Sequence, residues 1–468
     1  MRATLFLFAL LLSQVFCADS TYYVSPNGDD TNNGSEDSPF QTIAKAYNAT
    51  EDPSESVKIY FYPGTYGGVE NTAFNFTGPL TINWVQNSSL AEGESDLVQF
   101  DCTAAASLPC FFSNTSITIN GLDSDSGNMK VTFTDCSTCI TVDNTLNSDD
   151  INDDYVISVN GVSFNEVSQS AILGFYLHTV DITDSYFSDG QAGGLTLIGL
   201  HNIDDQITIQ STNFTSLNKN VLTITNNTKT LVENCIFTNS FVSITGQDRK
   251  DSQAVLGPNT FVANQGATPY IIDLQTGVYT VKDSKVSAQQ TGGINVFDSE
   301  TTSIINSTFE TGLAQNGGAG YFENVTALTI SENCQFNSNS ATFYGGAIYL
   351  VNSTVHLDAT NFTDNSAVDG SAIGCTGNET IVYYDNTTVN FYASAGPGPN
   401  STFIQNTCQQ VIQTLQSSLV VSSLDTGGSD AWIWVLVSIA ILVVILIIVA
   451  AVGFVIYQRK RQSYTRMD

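Results

Sequence analysis

A phenylalanine set among small polar residues returns along the middle of this chain at Phe164, Phe187, Phe214, Phe237, Phe261, Phe309, Phe336 and Phe362, with Val286 filling the one gap. The steps are 23, 27, 23, 24, 25, 23, 27 and 26 residues. An earlier instance, Phe133, stands 31 residues before Phe164, and the acidic insertion 149–154 accounts for the excess. Each unit holds short segments alternating apolar and polar, such as 206–209 and 221–224, which read as strands with one buried face. Helical periodicity is nearly absent. A unit of about 25 residues cannot bury its apolar side alone, whereas stacked units can. The repeat therefore predicts a solenoid of parallel strands with coils about 4.8 Å apart and the Phe rings stacked inside as a ladder.

The triplet Asn-Phe-Thr recurs at 75–77, 213–215 and 361–363. On a strand the ring points in and the Asn and Thr point out. Cys235 and Cys334 both stand two residues before a repeat Phe, four coils apart. That is about 19 Å at the strand spacing, too far for a disulfide. A solenoid must also close its ends. Ser38, Pro39 and Gln41 read as an N-cap, a first-turn proline and a capping-box partner. Phe40, Ile43, Ala44 and Tyr47 then form an apolar stripe at helical spacing. This predicts a capping helix over a first coil that starts at Val57. The repeat fades after Phe391, and the Gly/Pro segment 396–399 breaks the pattern.

The opening carries a resemblance. Tyr23–Asp29, Gly34, Ser38–Ala46 and Val57–Tyr66 with Pro63–Tyr66, in that order, closely resemble the start of pectin-lyase-like right-handed parallel β-helix proteins. Phe336–Asn339 before Gly345–Ile348, and Phe362–Asn365 before Gly370–Ile373, resemble the Phe-x-x-Asn and Gly-Gly-Ala-Ile repeats of polymorphic outer-membrane proteins. Phe261–Asn264 keeps the first half. The resemblance implies an all-β fold, a right-handed three-sided parallel β-helix with an N-terminal capping helix. The second family implies an adhesin-like role. Its export through a β-barrel does not carry over, because an apolar helix is expected here instead.

The two ends give a topology. Arg2, the apolar run 5–12 and small residues before Ala18 read as a secretory signal peptide. The run 432–457 has 26 uncharged residues, about 39 Å of helix at about 1.5 Å per residue, which spans a bilayer with tilt. Trp432, Trp434 and Tyr457 suit its interfaces, and Arg459, Lys460 and Arg461 place the carboxyl end in the cytosol. The expected division is a signal peptide 1–17, an N-terminal cap 18–56, a β-helix ectodomain 57–408, an end cap and stalk 409–430, one transmembrane α-helix 431–457 and a cytosolic tail 458–468. Setting aside Arg2 and the four basic residues of the tail leaves 9 of 14 basic residues, and setting aside Asp468 leaves 44 of 45 acidic ones, a net charge near −35 between the ends. Such a surface repels nucleic acid, anionic lipid and acidic polysaccharide.

Fourteen Asn-x-Ser/Thr sequons fall in the same stretch, at Asn33, Asn48, Asn75, Asn87, Asn114, Asn213, Asn226, Asn306, Asn324, Asn352, Asn361, Asn378, Asn386 and Asn400. Behind a signal peptide they predict N-glycosylation. An Asn- and Thr-rich composition generates some of them without that purpose. Eight cysteines follow Cys17, and an oxidising compartment favours disulfides among them. Cys102 with Cys110, and Cys136 with Cys139, are close enough in sequence to pair locally. Zinc at Cys136 and Cys139 lacks a second pair and a nearby His.

Function divides three ways. Catalysis of the lyase or hydrolase type would need an Arg base beside Ca²⁺-binding Asp residues, or paired carboxylates with a His. Arg249 stands alone in its stretch. His201 with Asp204 and Asp205 offers adjacent carboxylates that point to opposite faces of a strand. His178 and His356 lie in expected strands. No catalytic residue and no cofactor site is assigned, and the calcium-loop-like segment 123–128 lacks its third acidic ligand and closing Glu. Recognition or adhesion at the plasma membrane is the preferred reading, with an extracellular protein or glycan as ligand. Its partner is expected on the sequon-free coils 117–212. The third reading is an endosomal or lysosomal membrane glycoprotein. Tyr464 and Met467 fit a Tyr-x-x-apolar sorting motif that clathrin adaptors read, in a layout similar to lysosome-associated membrane glycoproteins.

Overall fold

The computed structural model describes residues 20–412 except 51, 53–54, 87–95, 106–107, 146–154, 189–192, 201–205, 216–219, 228, 249, 264–267, 385–387, 393–401 and 406. These residues belong to the first of two compact units, 1–413. The signal segment, the run 432–457, the tail with Tyr464 and Met467, the acidic insertion, Arg249, and His201 with Asp204 and Asp205 lie outside the described residues. No helix among the described residues is long and apolar enough to cross a membrane.

The described chain winds through three parallel sheets, taking one strand of each per coil, as expected of a three-sided parallel β-helix. The first sheet has 15 strands, from Ser20–Val24 to Gln409–Ile412; the second has 13, from Gly64–Gly67 to Asn390–Tyr392; the third has 12, from Phe74–Phe76 to Ile373–Thr376. Register holds from coil to coil, as where Thr179–Thr183 pairs residue for residue with Gln206–Gln210, and that strand with Lys229–Glu233. The alternation in the sequence becomes alternation of burial, in at Ile207 and Ile209, out at Gln206, Thr208 and Gln210.

The predicted ladder runs up the inside of the second sheet. Phe133, Phe164, Phe187, Phe214, Phe237 and Phe261 follow one another at ring separations of 5.3, 4.8, 4.8, 4.8 and 4.7 Å, with planes within 16°. Val286 fills the gap in register with Phe261 and Phe309. Phe100 extends the ladder one coil further back. The Asn-Phe-Thr phase holds at 213–215 and 361–363, whose rings are buried. Phe76 is also buried but belongs to the third sheet, so the first triplet is not a rung of this ladder.

Corners carry the remaining sequence signal. Among the described residues, twenty-one non-glycine residues have positive φ, and twelve of them are Asn or Asp, the side chains that tolerate a left-handed backbone. Asp184, Ser211, Asn234, Asp283 and Asn306 turn the chain from the first sheet to the second; Tyr176, Asn226, Thr276, Asp298, Asn324 and Asn352 turn it from the third to the first. Just inside the first of these corners lies a buried file: Ser185, Thr212, Cys235, Asn259, Ser284, Ser307, Cys334 and Thr360. Ser185, Thr212, Ser284, Ser307 and Thr360 each donate to the carbonyl two residues back. Cys235 does the same through its thiol. The two cysteines are thus the thiol members of a hydroxyl file. Burial pushes Cys235 up to about 12.

The Phe-x-x-Asn and Gly-Gly-Ala phrases are likewise corner devices. Asn339 donates to the Phe309 carbonyl and to Asn365 Oδ1, and Asn365 donates to the Phe336 carbonyl. Gly345 and Gly370 sit at φ 63°, and so does Gly317, which opens a Gly-Gly-Ala turn at 317–319 that sequence reading missed. A Cβ on Gly346 would lie 2.2 Å from the Ser371 carbonyl oxygen.

Three expectations need correction. The helix runs Ile43–Asn48 with Thr42, not Ser38, as its N-cap, its hydroxyl accepting from Lys45 N–H. Phe40 is drawn instead into extended pairing beside Val24, its N–H donating to Tyr23 and its carbonyl accepting from Ser25. The first sheet begins one strand earlier than Val57, because Ser20–Val24 pairs with Val57–Phe61. The disulfides join successive coils, Cys102 to Cys136 and Cys375 to Cys408, rather than near neighbours in sequence.

Candidate functional site

One face of the third sheet differs from the rest of the surface. On its outward row Asp273, Asn295, Tyr321 and Tyr349 occupy successive coils in register. Tyr270 leans over Gly292 of the next coil, where a Cβ would meet its ring at 2.2 Å. The rings of Tyr270 and Tyr321 are 6.2 Å apart, those of Tyr321 and Tyr349 5.7 Å, and those of Tyr349 and Tyr344 6.0 Å. Beside this file a two-stranded ribbon, Leu313–Asn316 paired with Ser340–Tyr344, lies in the connection between the second and third sheets. The ribbon and the sheet enclose a cleft of about 470 Å³, within the range of small-ligand sites.

The polar groups that line the cleft, on Tyr270, Asn295 and Tyr321, are held by neighbours. Asp273 accepts from Gln275 at 2.8 Å and from Asn295 at 2.7 Å. Tyr321 O–H donates to Glu323 at 2.9 Å, and Tyr270 O–H donates to the Asn316 carbonyl at 2.8 Å. Burial raises the pKa of both phenols above its ordinary value, so they stay neutral donors. The side-chain oxygen of Asn316 is buried and has no hydrogen-bond partner. Leu313, Phe343, Tyr344 and Val368 are exposed around the ribbon.

The residues singled out from sequence fall elsewhere. Eleven of the fourteen sequon asparagines are described and none is buried; Asn87, Asn386 and Asn400 lie outside the described residues. Asn33, Asn48, Asn75, Asn226, Asn306, Asn352 and Asn378 are exposed, while Asn114, Asn213, Asn324 and Asn361 are half-buried. Asn324, Asn352 and Asn378 line one groove with Asp298 and Glu379. Asn226, Asn306, Asn324 and Asn352 are also positive-φ corner residues. The backbone alone therefore accounts for an Asn at these four. His178 sits in the junction between Ser170–Leu177 and Thr179–Thr183, not in a strand. His356 lies in Thr354–Leu357, stacked on Tyr383 at 4.5 Å, and burial lowers its pKa. The Asp123 carboxylate accepts from Asp125 N–H and Ser126 O–H and lies 3.7 Å from the Lys130 ammonium. A cation at this turn would meet a carboxylate already committed to those donors.

Sequence reading missed the cleft because its tyrosines do not keep the repeat. Tyr270 and Tyr321 are two coils apart, with Gly292 and Asn295 between. A signal was nonetheless present: Tyr321 and Tyr349 each stand three residues before a sequon asparagine, in the same outward phase.

Residues 26–288 match the profile of a family described as "Protein of unknown function (DUF1565)". No curated protein matches the chain. Among solved structures it is similar to pectate lyase Pel9A, at 15% identity over 82% of this chain and 80% of that one, TM-score 0.28. A GH136 lacto-N-biosidase from Eubacterium ramulus is similar at 11% identity over 87% and 69%, TM-score 0.27. A rhamnogalacturonan lyase is similar at 11% over 84% and 87%, TM-score 0.23. At these scores none of the three bears on what this chain does.

Proposed function

The chain belongs to the DUF1565 family through residues 26–288, and from that premise we propose that it is a recognition protein whose β-helix presents the tyrosine cleft to a neutral glycan. The observation that carries this reading is the pair Tyr270 and Tyr321, which line the cleft beside Asn295, itself fixed by the Asp273 carboxylate. Sugar rings present apolar C–H faces and hydroxyl edges; ring faces and fixed hydrogen-bonding groups meet both. The acidic surface disfavours an acidic polymer. This cleft replaces the sequon-free coils 117–212 as the preferred docking place.

The topology completes the proposal. A signal peptide, a single span at 432–457 and a cytosolic tail would hold the solenoid outside the cell as a glycosylated type I membrane protein. Tyr464 and Met467 would offer an adaptor-binding address, and the Phe-x-x-Asn repeats would match an adhesin-like role.

The test uses full-length protein in detergent against a panel of neutral and uronic-acid oligosaccharides. Neutral oligomers should bind, and the Tyr270→Ala/Tyr321→Ala double variant should weaken binding more than about tenfold, the effect of losing about 1.4 kcal/mol, with its circular dichroism unchanged. Undiminished binding by the double variant would remove the cleft. Release of new reducing ends or unsaturated products by wild type would replace recognition with the lyase or hydrolase alternative.

A further inference from the structure

Four cysteines converge inside the turn between the second and third sheets, on neighbouring coils. Cys102 follows the strand Val98–Asp101 and is bonded to Cys136, which follows Val131–Thr134 one coil on. Cys110 lies in Pro109–Ser113 and Cys139 in Thr138–Asp143, and both are buried thiols. The Sγ atoms of Cys102, Cys110 and Cys136 lie within 4.8 Å of one another. Thr138 pairs with Pro109 and Ile140 with Phe111, which sets Cys139 directly beside Cys110. The two face the same interior, and each is fully buried.

We propose that Cys110 and Cys139 form a second disulfide, so that the same two coils are joined twice, at 102–136 and 110–139. In-register neighbours of a parallel sheet have Cα atoms about 4.8 Å apart, inside the about 4.4–6.8 Å that a disulfide spans. The bonded pair Cys102–Cys136 has Cα atoms 4.8 Å apart and also joins successive coils. The position they fill is a small-residue slot. Register continues it to Ala171 and Gly194 on the following coils. A cysteine pair adds a bond there without displacing a larger side chain.

In forming the bond the two thiols lose two protons and two electrons. The acceptor is a small-molecule or protein disulfide, which leaves as two thiols. Burial raises both thiols far above their ordinary range, so the thiolate that attacks is scarce once the coils have closed. The bond therefore forms during folding. The proposal is independent of the cleft.

The full chain, made in a eukaryotic secretory pathway, is denatured without reductant and its thiols are alkylated and counted by intact mass. Apart from Cys17, wild type should show two, Cys235 and Cys334, and Cys110→Ala should show three by freeing Cys139. Four in wild type and three in Cys110→Ala would overturn the proposal. So would a non-reduced peptide joining Cys102 to Cys110, or one zinc per chain released on denaturation with all four cysteines alkylated. Ala171 occupies the same slot one coil beyond Cys139, so Cys110→Ala should fold; the wild-type peptide map decides the matter without it.

Discussion

At the scale of single residues, the interior is built from files rather than from a mixed core, and each file tolerates different chemistry. The Phe file is held by volume and stacking. Phe214→Ala removes a fully buried ring between Phe187 and Phe237 and should cost about 3–5 kcal/mol, read from denaturant unfolding of the purified protein. The hydroxyl file is held by donation to one carbonyl. Cys235→Ser keeps that donation and the size of the side chain, so it should change stability by less than about 1 kcal/mol. If the two substitutions cost the same, the distinction between the files is wrong. Lys130 is a third kind of interior residue. Its buried ammonium meets Asp96 and Asp123 and lies 5.7 Å from the Trp84 ring centroid, and Lys130→Met should be strongly destabilising because two carboxylates lose their shared counter-charge.

Strands and corners respond to different pressures. A strand needs alternation and little else, whereas a corner needs a backbone conformation that few residues adopt. Asn306 at φ 44° is a case in which backbone and sequon motives overlap. Asn306→Gly should fold with near-normal stability, while Asn306→Ala should lose about 1–2 kcal/mol through the left-handed backbone. Both remove the sequon, so a comparison of their melting temperatures separates corner from glycan. Equal melting temperatures would put the value of Asn306 in its sugar. The same division explains what could be read in advance. The ladder at Phe133–Phe362 was legible because one buried ring per coil repeats at a fixed interval. Cys235 and Cys334 were legible in phase but not in role, since spacing does not reveal that Ser185, Thr212 and Ser307 share their file. The N-cap moved from Ser38 to Thr42 because long-range pairing of Phe40 with Val24 overrides a local capping signal. The tyrosine cleft was not legible as a site. It depends on a ribbon at 313–316 and 340–344 that stands outside the repeat, and on rings two coils apart.

For the solenoid as a whole, a thirteen-stranded second sheet sets the scale. Twelve steps at about 4.8 Å give a rod about 58 Å long. Its hydrogen bonds run along that axis, from Phe133 through Phe391, while the chain itself runs around it. A load applied to the two ends of the solenoid therefore meets the sheet bonds one coil after another and not all at once. The rod behaves as a spool. Paying out the coil between Phe214 and Phe237, 23 residues, shortens the rod by about 4.8 Å and releases about 78 Å of extended chain. Single-molecule pulling should give repeated steps of about 75 Å, and a single all-or-none event would contradict it. Where Cys102 with Cys136, and Cys375 with Cys408, tie one coil to the next, the line is knotted, and those turns should hold until a reductant is added.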